Sequence, residues 1–131
     1  MDETTAHELI AKHFAAAGND EVAAAAIFAD DAVIEWPQSG ERIGGRQKIT
    51  TLHEAAPFVV DIAVRRTIGC GDLWLTEGTI RYDGERPTNA VFIMEFRDGK
   101  VVRETDYFGE PFAPPAYRSQ WVEPMEDDER A

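Results

Sequence analysis

Cysteine is nearly absent: Cys70 is the single one in 131 residues. No intrachain disulfide can form, and a reducing compartment is the expected setting. Basic residues are scarce too, with 13 Lys and Arg against 25 Asp and Glu and a formal net charge of −12. Without a basic excess to neutralise phosphates, nucleic acid and anionic membrane surfaces are excluded as expected partners. No apolar run nears the ~20 residues of a membrane span. The stretch MDETTAHELI is acidic and lacks the charged-then-apolar pattern of a secretory leader, so a cytoplasmic protein is expected. Histidines number three. In HELIAKH they lack the i, i+4 spacing of a zinc helix, so no metal site is expected there. Gly44-Gly45 is not followed by the Lys-Ser/Thr of a phosphate loop. Neither metal nor organic cofactor is expected.

What is there is a foldable chain. Hydrophobic residues make up 44% of it, and its length suits one domain. In TTAHELIAKHFAAAGND, Leu9, Ile10, His13, Phe14 and Ala17 fall at helical spacing, with Thr4 or Thr5 as cap. DEVAAAAIFADDA reads as a second helix, acidic in its first turn and rich in alanine. AVIEWP is a short strand closed by Pro37, and GGRQKITTLHEAAP a third helix stopped before Pro57. The remainder alternates as strands: FVVDIAVRRTIGC, DLWLTEGTIRY, TNAVFIMEFR and KVVRETDYF, rich in β-branched and aromatic residues. Asp83-Gly84 and Asp98-Gly99 are hairpin signals, so the last three strands should form an antiparallel meander. Helices first and a sheet after them is an α+β order.

The last strand raises the functional question. Residues two apart share a strand face, so Glu104 and Asp106 point the same way, about 7 Å apart, together with Val102 and Phe108. A face carrying Val and Phe normally meets a core. The other face and the preceding strand are also apolar on both sides. A second cover is therefore needed, and another copy of the chain supplies it most simply, through Leu73, Leu75, Val91 and Ile93.

The order helix–helix–strand–helix–four strands, with FADDAVIEWP early and GKVVRETDYFGEPF late, resembles the nuclear transport factor 2-like superfamily, and within it the SnoaL-like proteins. The resemblance covers about residues 5–110. It implies a cone-shaped curved antiparallel sheet with three helices in the N-terminal half, an apolar pocket, and a domain over 1–110. It also implies a choice of activities, since ketosteroid isomerases, polyketide cyclases, limonene-epoxide hydrolases, dehydratases and non-catalytic binding proteins share that fold. The isomerases' general-base Asp, before a Pro, falls on Trp36. Their hydrogen-bond-donating Asp falls at about Met94. The epoxide hydrolases' Arg-x-Asp falls at about Gly78 and Ile80. Only the last-strand acid carries over, as Asp106 in ETDYF.

The expected site thus has Asp106 as acid or base, Glu104 modulating it and His13 assisting from the first helix. Phe14, Trp36, Trp74, Phe92, Met94 and Phe108 would form the apolar walls around a small, mostly apolar molecule. Burial and a neighbouring carboxyl should raise the acids' pKa values. Two alternatives stand beside catalysis: an ion pair of these acids with Arg65, Arg66 or Arg81, and a binding or dimerisation module with no chemistry. His7 and His53 read as surface residues, and Cys70, between two glycines, as structural. Residues 111–131 read as a Pro-rich wrapping arm, whose Phe112, Tyr117 and Trp121 dock on the domain or a partner subunit, followed by an acidic tail that is mobile after about Met125.

Overall fold

The computed structural model describes residues 1–125. The chain opens with α1, Glu3–Ala16. Its N-cap is Asp2, whose carboxylate accepts from Thr5 N at 2.8 Å, two residues ahead of the first of the threonines expected to cap it. Asp2→Ala should cost about 1 kcal/mol, read as a small drop in melting temperature. An unchanged melting curve would mean the cap is dispensable. Ala6, Ile10 and Phe14, four apart, form the buried stripe of α1.

The second helix, α2, spans only Glu21–Ala25. The sequence predicts it further on, but Phe28–Trp36 is strand β1. Helix propensity is weak against tertiary context even for alanine, and pairing of Phe28 with Val101 of the last strand outweighs it. A short strand not expected from the sequence, β2 (Glu41–Gly44), turns back on β1. Helix α3 covers Arg46–Ala55. Four long strands follow: β3 (Val60–Cys70), β4 (Leu73–Tyr82), β5 (Thr88–Arg97) and β6 (Lys100–Gly109). The sheet order is β2-β1-β6-β5-β4-β3. Every pairing is antiparallel except β1 with β6, and the two end strands do not meet, so the curved sheet stays open. The fold is α+β and cone-like, as the resemblance implied.

Asp98 and Gly99 both take positive φ, 52° and 76°, which the two-residue turn between β5 and β6 requires. Close behind it a register shift opposes Glu95/Phe96 to Arg103/Val101. This bulge turns Val101 into the core and leaves Val102 half-buried, so the inward face of β6 is Val101, Glu104 and Asp106 rather than a strict alternation from Val102. The core lies on one side of the sheet. Ile10 and Phe14 of α1 and Ile49 of α3 pack there with Phe28, Ile34, Trp74, Ile80, Phe92 and Met94. Among the described residues no helix is long and apolar enough to cross a membrane. After Gly109 the chain runs without helix or strand to a single 3-10 turn, Ala116–Arg118. Phe112, Tyr117 and Trp121 are 77%, 75% and 77% exposed, so they do not dock on their own domain. The expected mobile tail past Met125 lies outside the described residues.

Candidate active site in the conical cavity

Parallel pairing of β1 with β6 sets Ile34 against Glu104 and Glu35 against Thr105. That register brings Trp36 beside Asp106, and its indole Nε1 donates to Asp106 Oδ2 at 3.1 Å. Gln38 locks the same end, its Nε2 donating to Phe108 O and its Oε1 accepting from Phe108 N, both at 2.6 Å. Two distant segments are thus held in one geometry by backbone pairing and a double amide clamp.

Glu104 and Asp106 are each only 4% exposed. They meet as a hydrogen-bonded carboxyl pair. Burial first, and then the Asp106 charge, pushes Glu104 well above the usual carboxyl range. Burial also raises Asp106, to about 6, held there by donation from Glu104 and Trp36 to its charged form. Both shifts favour the protonated carboxyl, so the pair holds a proton to higher pH than carboxyls in water would. Among the described residues no N–H or hydroxyl reaches Glu104 Oε1 or Asp106 Oδ1. A carboxylate offers about four lone-pair sites. Trp36 and Glu104 occupy two.

These groups line a cavity of about 680 Å³. Of the residues expected in the site, His13, Phe14, Trp36, Phe92, Phe108, Glu104 and Asp106 meet there. Trp74 and Met94 do not, which corrects their expected place on the wall. They are register partners at the closed end of the cone. There the sheet comes close to α1: the Trp74 ring lies edge-on to His7 at 5.1 Å, and its Nε1 donates to Gly71 O at 2.9 Å. Side chains fill that end, so both residues are core. Two of the arginines weighed as ion-pair partners of Glu104 and Asp106 are engaged elsewhere. Arg66 pairs with Glu77 at 2.7 Å, and Arg81 donates to Glu85 O at 3.0 Å.

His13 sits opposite, with Nδ1 2.7 Å from Ala24 O. A carbonyl only accepts, so Nδ1 carries the proton and Nε2 is an acceptor. Burial pushes the imidazole pKa down and keeps it neutral. Two wall residues escaped the sequence reading. His53 is exposed, as expected, yet it also borders the cavity, with Glu21 at 4.0 Å, and partial desolvation lowers its pKa. Tyr82 lines it as well; burial, then the charges of Asp106 and Glu110, raises its phenol. Tyr82 shares its strand face with Ile80, a period-two signal that pointed to it. Nothing local marked His53. Among the described residues no group of three or more His, Cys, Asp or Glu is placed to hold a metal ion.

Comparison with known proteins matches residues 8–104 to the model of the SnoaL-like domain. The chain belongs to the SnoaL-like domain family. No match was found among curated proteins. Among solved structures, this SnoaL-like chain is similar to an NTF-2 like protein of unknown function from Burkholderia xenovorans, at 46% identity over 95% of this chain and 98% of that one, TM-score 0.83. A candidate ketosteroid isomerase from Kribbella flavida is 28% identical over 95% and 93% of the two chains, TM-score 0.86. An epoxide hydrolase of the LEH-like type from M. tuberculosis is 25% identical over 80% and 83%, TM-score 0.69.

Proposed function

We propose that this SnoaL-like protein binds a small, mostly apolar molecule in the conical cavity and acts on it by proton transfer, without metal or organic cofactor. Asp106 is the acid or base, Glu104 holds the second proton of the pair, and His13 accepts a hydrogen bond from the bound molecule. The observation that carries this reading is a buried pair of carboxyls in the wall of a mostly apolar cavity, where burial raises Asp106 to about 6. A base poised near the working pH is what general acid–base catalysis needs. Isomerisation, cyclisation, dehydration and epoxide opening each need a proton moved at such a carboxyl. The likeness to a candidate ketosteroid isomerase and to an epoxide hydrolase supports that class.

The test is turnover of a panel of apolar epoxides and ketones as a function of pH. The rate should rise across pH 5–7 with a midpoint near 6, the value held by Asp106 within the pair. Trp36→Phe deletes the donor that favours the charged carboxylate, so the midpoint should move to higher pH. A flat profile, or a midpoint that Trp36→Phe leaves in place, would contradict the assignment.

A second reading, a binding protein with no turnover, is favoured by Trp36 itself. It stands where the resemblance puts the isomerases' general base, and it takes up one lone pair of Asp106. On that reading the panel binds and no member is converted.

A further inference from the structure

The conical cavity carries charge of one sign. Glu21, Glu54, Glu104 and Asp106 line it, and among the described residues of its wall there is no Lys or Arg. His13 and His53 add no positive charge near neutral pH, because desolvation lowers both of their pKa values. Burial raises the Tyr82 phenol, which stays neutral there. The rest of the chain has the same sign, with a net charge of −12. Low-dielectric walls lined by one sign of charge raise the local concentration of ligands of the other sign.

The acids lie at two depths. Glu54 is exposed, and Glu21 is half-buried with its Oε1 fixed by Gly18 N at 2.7 Å. Glu104 and Asp106 are 4% exposed, on the inward face of β6. Their Oε1 and Oδ1 atoms are buried acceptors without a donor among the described residues. Buried polar atoms in folded proteins are nearly always hydrogen-bonded, so two such atoms side by side in a cavity wall point to a ligand that donates.

The wall decides which kind of donor. Among the described residues no three His, Cys, Asp or Glu converge to ligate a bare metal ion. Phe92 is instead the register partner of Asp106, Trp36 donates to Asp106, and the Phe14 and Phe108 rings lie 5.0 and 6.2 Å from that of Phe92. Such a wall takes up hydrocarbon, and aromatic rings attract an organic cation through their faces. A protonated amine on an apolar skeleton brings several N–H donors and the charge that the acids lack. An alcohol of the same shape brings one donor and no charge, and a carboxylate meets only like charge.

We propose that the ligand of this cavity is a lipophilic amine, held as its ammonium with the nitrogen against Glu104 and Asp106 and its hydrocarbon against the aromatic wall. This rests on the cavity being the binding site, as proposed above, and not on turnover. An arriving cation favours the charged form of the pair, so acids that burial keeps protonated release protons as the amine binds.

Calorimetric titration of the full chain near pH 6 tests it, with three ligands that share one skeleton: 1-aminoadamantane, 1-adamantanol and adamantane-1-carboxylate. The ammonium should bind at least about tenfold more tightly than the alcohol, and the carboxylate more weakly than either. Titrations in two buffers of different ionisation heat should show protons released by the ammonium and none by the alcohol. Asp106→Asn should weaken the ammonium by about tenfold or more and leave the alcohol nearly unchanged, which also reports an intact cavity. The preference should survive about 1 M KCl, which screens attraction to the acidic surface beyond about 3 Å. An alcohol bound as tightly as the ammonium overturns the amine and leaves the cavity as an apolar site. An ammonium preference that salt abolishes, that Asp106→Asn leaves intact or that releases no protons overturns it as well. Binding of none of the three overturns both the amine and the cavity reading it rests on.

Discussion

On the proposed acid–base function, Asp106→Asn is expected to lower turnover by roughly 10²- to 10⁴-fold, the usual worth of a positioned acid or base. KM stays within a factor of a few, because the amide keeps the shape of the carboxyl and the cavity wall is apolar. Loss in kcat and kcat/KM together is the signature of an interaction made in the transition state. The fold has reason to survive. The Asn oxygen can still accept from Trp36 Nε1, and its NH2 can donate to Glu104 where Asp106 formerly accepted. Glu104→Gln should cost less, since it removes the shared proton but leaves the carboxylate of Asp106. Measured on one substrate of the panel, the two variants should rank in that order. Equal rates for Asp106→Asn and the natural chain would remove Asp106 from the chemistry, while unchanged binding with no rate in either protein would favour the carrier.

The same substitution is expected to change how stability responds to pH. Asp106 has an ordinary value of 3.8 and a folded value of about 6. The folded state therefore holds the proton more tightly than the unfolded one. The stability this contributes is complete below about pH 4 and is lost as pH rises through 6. Two pKa units correspond to about 3 kcal/mol, because a buried carboxylate replaces a buried acid. Glu104, also raised, adds a loss of the same sign as pH rises. His13 and His53 act oppositely: burial lowers their values, so their contribution is present above the ordinary 6.5 and lost as pH falls through their lower folded values. A difference measurement separates the two. From pH 4 to pH 8, Asp106→Asn should gain about 3 kcal/mol relative to the natural chain, since the histidines are common to both. Chemical unfolding at the two pH values reads it directly. A gap that does not widen with pH would mean that Asp106 titrates as it would in water. The pair of results states a trade: the buried charge that would give activity near neutral pH is the one that weakens the fold there.

Most strands and turns were legible in the chain because their causes are local. Asp98-Gly99 turns because two adjacent positive φ values are needed, and β4 to β6 alternate because one face is buried. The shared direction of Glu104 and Asp106 follows from a period of two, and needs no knowledge of the rest of the molecule. Boundaries set by distant partners were not legible. α2 ends early because Phe28 pairs with Val101, and β2 exists because β1 offers it an edge. The bulge that turns Val101 inward is a property of two strands together, and neither alone announces it.

For the site the division is similar. From residue types and spacing alone, this chain specifies an acid pair on an apolar strand face, without net positive charge or a disulfide. Tertiary structure alone decided who surrounds that pair. Trp36 reaches Asp106 across seventy residues because a parallel strand pairing sets the register. His53 reaches the cavity from a helix with no local signal for it, while Trp74 and Met94 are core residues rather than wall. The pKa of Asp106 belongs to that second category, since desolvation is a sum over every group that excludes water and no stretch of sequence contains it.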